Sequence, residues 1–451
     1  MIKIKVIDSV LCEVENKQYV SRVKPTFAFD YTFWKPEQIK NKEGKPIGKT
    51  RRVPTNQVGH FINRQGRFLT GLLPRVLNDH ECILDDRIIY PEKENEPGLL
   101  GIQFREDQFN LLDKMYEHKR GIIKSPTGSG KTIIAMGFAS MFPSAKILFL
   151  AHNLDIVTQT HDEFDEKGFN GIRVKEIGPR ITISTIQTFK KINENGDYFD
   201  YYDIVIIDEA HHCNKRKSLY GKALQLIDAP YKFGFTATLP EGRRKLMAQE
   251  GLLGPVIGEL TIQEGVELGI MAKPKITLVP LDVNTNLTGL KYKDTYTRCI
   301  VKNRLRNRKI AVIVRDRVEA GKTVLIMVKE ILHGQNIADV LDIYGVDSYF
   351  VKGDVDKETR NEIKKKLNSK KIKCVISTAV WREGVNIPTL DCIINACGGK
   401  SEIMTLQAIG RGLRKAEGKD TVEIVDLLDE YRYLAGHAIR RVKIYVENDW
   451  L

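Results

Sequence analysis

Ser125-Pro126-Thr127-Gly128-Ser129-Gly130-Lys131-Thr132 decides the fold. The octapeptide follows the apolar run Gly121-Ile122-Ile123 and opens the helical pattern Ile133-Ile134-Ala135-Met136. Strand, glycine-rich loop and helix in that order are the context of a phosphate-binding loop. Successive backbone N–H groups in such a loop form an anion-binding concavity, and the helix N-terminus adds partial positive charge. Pro126, Thr127, Gly128, Ser129 and Gly130 supply that backbone. Lys131 can reach the outer phosphates of a nucleotide, and the Thr132 hydroxyl can ligate Mg²⁺. Ser125 stands where the full pattern has Gly.

A second stretch gives the loop its chemistry. Ile204-Val205-Ile206-Ile207 is a continuous apolar run, as expected of a parallel strand buried on both faces. It ends in Asp208-Glu209-Ala210-His211. The carboxyl ends of strands are where ligands bind in open α/β sheets. Asp208 is placed to hold Mg²⁺, and Glu209 to orient and deprotonate an attacking water. An acidic turn alone would carry little; the phosphate loop upstream gives it weight.

Bulk properties set the frame. At 451 residues, about three domains are expected. No apolar run approaches the roughly 20 residues of a membrane span. The opening Met1-Ile2-Lys3-Ile4-Lys5-Val6 alternates like a strand and lacks the apolar core of a signal peptide. Seven scattered cysteines with no C-x-x-C pair argue against zinc or disulfides and for a reducing cytoplasm. The formal charge is +13, and residues 1–78 hold 15 Lys/Arg against 6 Asp/Glu. Such an excess suits a polyanionic partner.

Residues 87–101, with two prolines and alternating charge, read as a linker. Before it, Gln18 to Val23 and Thr26 to Phe33 alternate like strands. Expected strands follow at Ile122–Ile123, Ile147–Leu150, Ile181–Ser184, Ile204–Ile207 and Phe233–Thr236. A second series runs through Thr323–Val328, Ser348–Val351, Cys374–Ser377, Cys392–Asn395 and Val422–Val425. The fold class is therefore α/β: two tandem parallel-sheet lobes behind a small, β-rich domain. The expected domains are 1–95, basic and DNA-binding; 96–275, nucleotide-binding; and 276–451, the second lobe.

From about residue 102 to 440 the ordered motifs resemble superfamily 2 helicases, whose two lobes are RecA-like. Phe104-Arg105-Glu106-Asp107-Gln108 resembles the adenine-recognition motif, which implies nucleotide-binding roles for Arg105 and Gln108. Thr236-Ala237-Thr238 resembles the motif that, with His211, couples hydrolysis to movement. Leu150-Ala151-His152-Asn153 and Ser184-Thr185-Ile186-Gln187 resemble backbone-contact loops, implying DNA contacts for His152, Asn153, Thr185 and Gln187. Val351-Lys352-Gly353-Asp354 implies the same for Lys352 and Gly353.

In the second lobe, Gln407-Ala408-Ile409-Gly410-Arg411-Gly412-Leu413-Arg414 fits the family's Q-x-x-G-R-x-x-R. Arg411 and Arg414 are three apart and share a helix face, and a guanidinium can bond two phosphate oxygens. The resemblance makes Gln407, Arg411 and Arg414 catalytic, with Arg414 as arginine finger on the γ-phosphate. Ser377-Thr378 through Gly384-Val385-Asn386 resembles the motif linking nucleic acid to nucleotide. It implies a phosphate contact for Thr378 and close backbone approach at Gly384. Asn386 stands where the family usually has Asp.

The motor is similar to UvsW-type phage branch-migration helicases and to RecG and XPB motors. The segment Gly436 to Tyr445 resembles the basic, aromatic end of that group. This implies ATP and Mg²⁺ as cofactors and forked or four-way-junction DNA as partner, alongside other replication or recombination proteins. The basic N-terminal domain would select junctions, with Phe61, Phe68 and Trp34 able to stack on unpaired bases. An RNA helicase, or the motor of a restriction or nuclease system, shares the same backbone contacts. A non-catalytic clamp is opposed by Lys131, Asp208, Glu209 and Arg414 standing together.

Overall fold

A computed structural model describes residues 1–40, 46–281, 291–378, 387–399 and 419–451. The chain divides into two compact units: Met1–Lys124 with Thr132–Glu259, and Leu260–Leu451 with the short loop Ser125–Lys131.

The first unit opens with β1 (Ile2–Val6), β2 (Leu11–Val14), β3 (Ala28–Lys40), β4 (Pro46–His60), β5 (Arg67–Leu69) and β6 (Cys82–Asp86). Four of these form a sheet in the order β5-β2-β1-β6. The alternation of β1 buries Ile2, Ile4 and Val6, as period two requires. β3 and β4 pair with each other as a long antiparallel ribbon.

Two expectations for this region are corrected. Gln18–Val23 is not a strand; the chain forms a 3₁₀ turn at Lys17–Tyr19 and a helical turn at Val20–Val23. Asn16 overrides the alternation, because its side chain accepts the Gln18 N–H at 3.1 Å and starts the turn. Phe61 and Phe68 are not free to stack on bases, being only 8% and 2% exposed. Phe68 lies 4.9 Å from Phe27, and Phe61 4.9 Å from Phe29, between ring centroids. In a domain this small, large rings are needed to close the core. The Trp34 side chain lies outside the described set.

Residues 87–101 carry almost no regular structure, yet they are fastened down. The Tyr231 hydroxyl donates to the Pro91 carbonyl at 3.0 Å, and the Glu94 N–H to the Met141 carbonyl at 2.9 Å. The Gly98 N–H donates to Ser140 Oγ at 3.1 Å.

A parallel sheet follows: β7 (Arg120–Lys124), β8 (Ile147–Ala151), β9 (Ile172–Val174), β10 (Ile181–Thr185), β11 (Ile204–Ile207), β12 (Tyr231–Thr236) and β13 (Val256–Glu259). Its order is β13-β7-β12-β11-β8-β10-β9. Every residue of β8, β10, β11 and β12 is buried; β8 and β11 read as unbroken apolar runs, while Thr182 and Ser184 interrupt β10 and Lys232 interrupts β12. The turn between β1 and β2 docks onto this sheet through backbone. The Ser9 N–H donates to Asp228 at 3.0 Å, and the Ser9 carbonyl accepts from the buried Lys232 and Arg120. Burial holds the Lys232 ammonium well below its usual range.

The second unit contains β14 (Lys273–Leu281), β15 (Val324–Met327), β16 (Tyr349–Val351), β17 (Cys374–Ser377), β18 (Cys392–Asn395) and β19 (Thr421–Asp429), a parallel sheet ordered β14-β19-β18-β15-β17-β16. Two buried ion pairs hang from its β19. Arg306 meets Asp429 at 2.8 Å and Arg441 meets Asp426 at 2.7 Å. Tyr445 also bonds Asp426. The basic, aromatic C-terminal segment thus spends Arg441 and Tyr445 on packing rather than on the surface. The cysteines are all free, and no described helix is long and apolar enough to cross a membrane.

Candidate nucleotide and nucleic-acid site

The carboxyl ends of the parallel strands in the first unit share one edge. Lys124 of β7 pairs with Thr236 of β12, Ile207 of β11 with Gly234 of β12 and with Leu150 of β8, and Ala151 of β8 with Thr185 of β10. Asp208–His211, Thr236–Thr238, His152–Asn153 and Thr185–Gln187 all follow from that edge. The phosphate loop leaves the end of β7 and leads into the helix Lys131–Ser140. This is where a doubly wound sheet binds its ligand.

Within the loop, Gly128 and Gly130 have φ of 92° and 97°, a region open to glycine and strained for other residues. The Lys131 ammonium folds back to the Ser125 carbonyl at 3.4 Å. Ser125 Oγ is buried and has no hydrogen-bond partner among the described residues. Left-handed glycines, a lysine and an unmatched hydroxyl fit a polyphosphate, which would satisfy these donors. Thr132 opens the helix with partial exposure.

Glu209 is the one residue of the acidic turn with left-handed backbone, φ 51° and ψ 51°. It is 7% exposed. The His211 Nδ1 lies 3.2 Å from the Glu209 carboxylate and 3.3 Å from Thr236 Oγ1. The Thr236 hydroxyl donates to the Thr238 carbonyl at 2.9 Å, which leaves its lone pairs for His211 N–H. With Nδ1 protonated, His211 donates to Thr236 Oγ1 and stands at ion-pair distance from Glu209. The acidic turn and the end of β12 are thus physically linked. The Asp208 N–H donates to the Leu150 carbonyl at 2.9 Å, tying the turn to β8.

A stack of rings, unmarked by any residue pattern, stands beside this link. His212 lies parallel to His152 at 3.9 Å and 9°, and to Tyr220 at 6.1 Å and 14°. The Tyr220 hydroxyl donates to the Ala151 carbonyl at 3.3 Å. Burial, with His211 and His152 adjoining, pushes the His212 imidazole down to about 3, so it is neutral at working pH. His152, expected at the nucleic-acid backbone, has one ring face committed to this stack. Only its spacing after an apolar strand was visible in sequence.

Other expected contacts carry structural duties too. Asn153 caps the helix Leu154–Glu166, accepting the Ile156 N–H at 2.9 Å. Thr185 caps Ile186–Ile192, accepting the Thr188 N–H at 3.2 Å, while Gln187 is exposed on its first turn. Gln108 is 2% exposed, and its Oε1 accepts the Arg105 N–H at 3.1 Å. Arg105 pairs with Asp107 at 2.8 Å.

In the second unit, Lys352 pairs with Asp354 at 3.0 Å, and a Cβ on Gly353 would meet open space. Thr378 is 7% exposed, with its N–H donated to the Val351 carbonyl at 3.2 Å. Gly384, Asn386, Gln407, Arg411 and Arg414 lie outside the described residues. No group of three or more potential metal ligands occurs among the described residues.

Residues 101–241 match the family model "Type III restriction enzyme, res subunit", and residues 301–416 match "Helicase conserved C-terminal domain". The chain is 28% identical over 382 residues to the ATP-dependent DNA helicase uvsW of Enterobacteria phage T4, covering 76% of this chain and 75% of that protein. It is 25% identical to the DNA 3'-5' translocase XPB2 of Sulfurisphaera tokodaii, over 70% of this chain and 80% of that one. Among solved structures, a fragment of a putative HsdR subunit of a type I restriction enzyme from Vibrio vulnificus aligns with a TM-score of 0.58 at 15% identity, covering 91% of this chain and 93% of that chain.

Proposed function

Since the chain belongs to the superfamily 2 helicases, we propose that it is an ATP-driven motor that opens or branch-migrates forked and four-way-junction DNA. One observation carries the ATPase: the phosphate loop and the His211-linked Glu209 turn follow strands whose carboxyl ends share one sheet edge. The Ser125–Thr132 backbone and the Lys131 ammonium would hold the phosphates of ATP. Thr132 and Asp208 would hold Mg²⁺, which when bound neutralises charge on the phosphate oxygens. Glu209 orients the attacking water and accepts its proton, with His211 fixing the carboxylate. By the family resemblance, Arg411 and Arg414, which lie outside the described residues, would bring guanidinium charge to the γ-phosphate.

DNA is favoured as the polyanion by the basic excess in residues 1–78 and by the relative named a DNA helicase, and the branched substrate follows from the resemblance to branch-migration helicases. Phosphate contacts give strong salt dependence and little sequence preference. The test is ATP hydrolysis with fork, four-way junction, linear duplex and structured RNA at one salt concentration. We expect the largest stimulation by branched DNA, and Lys131→Ala should abolish hydrolysis while retaining DNA binding. Near-normal turnover in that variant would remove the phosphate-loop assignment, and stimulation by structured RNA alone would make the protein an RNA helicase.

A further inference from the structure

One helix in the first unit belongs to two cores at once. Arg243–Leu253 carries Arg244, Met247, Ala248 and Gly251 at i, i+3, i+4 and i+7, one stripe of a helix. That stripe faces the N-terminal sheet. Met247 and Ala248 sit in its apolar core with Ile2, Phe68 and Val76. A Cβ on Gly251 would come within 2.9 Å of Leu69 Cδ1, so the two surfaces touch closely. The Arg244 guanidinium lies 5.4 Å from both the Phe29 and Tyr31 rings at the base of the β3–β4 ribbon. Arg75 forks onto Glu250 with bonds of 2.6 and 2.9 Å.

A second stripe of the same helix, Gln249, Leu252 and Leu253, faces the parallel sheet. Leu252 and Leu253 are in the core with Ile207 and Ala210. Gln249 is fully buried, and its Nε2 donates to the Ala210 carbonyl at 2.8 Å. Its Oε1 has no hydrogen-bond partner among the described residues. A buried amide that uses only its donor is costly, so its contribution lies in what that donor holds. It holds the Ala210–His211 peptide, one residue beyond Glu209, the residue in left-handed backbone. From the other side Ala210 is confined by β12, since a Cβ on Gly234 would approach Ala210 Cβ to 2.6 Å.

We propose that Arg243–Leu253 is a coupling helix and that Gln249 is a positioning residue for Glu209, passing the seating of the N-terminal sheet and ribbon to the hydrolytic turn. The inference rests on the ATPase reading above. The Asp208–His211 motif resembles one shared across the family, but the link to it from the accessory region is read from contacts of this chain. A duplex held by the ribbon pushes on the Phe29–Tyr31–Arg244 end of the helix. Gln249, one and a half turns further along, shifts with it and changes the aim of the Glu209 carboxylate.

The test uses the full chain. Gln249→Met keeps the length of the side chain and removes the donor. DNA-saturated kcat for ATP should fall by about tenfold, the kinetic equivalent of one lost buried hydrogen bond, with the KM for ATP unchanged. Arg244→Ala changes an exposed residue, and should leave DNA-free hydrolysis unchanged while reducing the advantage of forked over linear DNA. Wild-type kcat in Gln249→Met, or a full fork advantage in Arg244→Ala, overturns the coupling. Should Gln249→Met not fold, hydrogen exchange of the wild-type protein decides. Amides of 208–213 and 243–253 should change protection together when forked DNA binds, and an indifferent turn overturns the proposal. Wild-type protein without any ATPase would instead overturn the motor reading, and this inference with it.

Discussion

Glu209 joins the proposed chemistry to a left-handed backbone in a single residue. A non-glycine residue in left-handed backbone costs about 1–2 kcal/mol. It is held there by the Gln249 bond to Ala210, the His211 contact and the Asp208 N–H bond to β8. The carboxylate is nearly buried but faces His211, so a proton acceptor is kept in a fixed direction without free rotation in water. Glu209→Gln preserves the shape and removes the basic oxygen. The variant should bind ATP as the wild type does and stall before hydrolysis. Nucleotide affinity measured beside single-turnover hydrolysis checks this; lost binding with intact chemistry would mean that Glu209 serves the phosphates instead. His212, in the stack between His152 and Tyr220, lies one residue from this network and stays neutral, so it brings no charge beside Glu209.

Elements were legible where one force dominates and hidden where two compete. β8 and β11 are buried on both faces, and their apolar runs announced them; in β10 and β12 the β-branched and aromatic residues carried the signal past Thr182, Ser184 and Lys232. β9 is three residues with Arg173 in the middle, and β13 contains Gly258, so neither shows a run. The phosphate loop and acidic turn were legible because their chemistry requires particular residues at short range. The Gln249 bond was not, because Arg243-Arg244-Lys245 gives the helix a solvated look and its two buried stripes belong to different cores. Nor could the alternation at Gln18–Val23 reveal that Asn16 would cap a turn. The two-core helix makes a prediction of its own. A Cβ on Gly71 would collide with the Glu250 carbonyl oxygen, which is backbone and cannot swing aside. Gly71→Ala should destabilise the first unit by about 1–3 kcal/mol, as overpacking does. Urea unfolding would show a lower midpoint, and an unchanged midpoint would mean that the N-terminal sheet is not seated on this helix in solution.

For the whole molecule, the question is how a motor with backbone contacts prefers a branch. Deleting residues 1–95 is a poor test, since it would strip the cover from Met247 and Ala248 and leave Glu250 without Arg75. The ribbon offers a cleaner one. β4 carries Lys49, Arg51 and Arg52, and in the ribbon's register Arg51 stands opposite Glu37 and Arg52 opposite Pro36. The strands pair with each other and with no other strand among those described, so charge there can be changed without cutting a core sheet. Replacing Lys49, Arg51 and Arg52 together by Gln should leave DNA-free ATP hydrolysis intact, because none of the residues assigned to ATP lies there. If each contacts one phosphate of a fork, the slope of log affinity against log salt should become shallower by about 0.9 per contact, just under three in all. Linear duplex should show a smaller change, so the preference for forks shrinks. Binding to fork, four-way junction and linear duplex across a salt series measures both quantities at once. Equal slopes in wild type and variant would take the ribbon off the DNA and leave branch recognition to the parallel-sheet lobes.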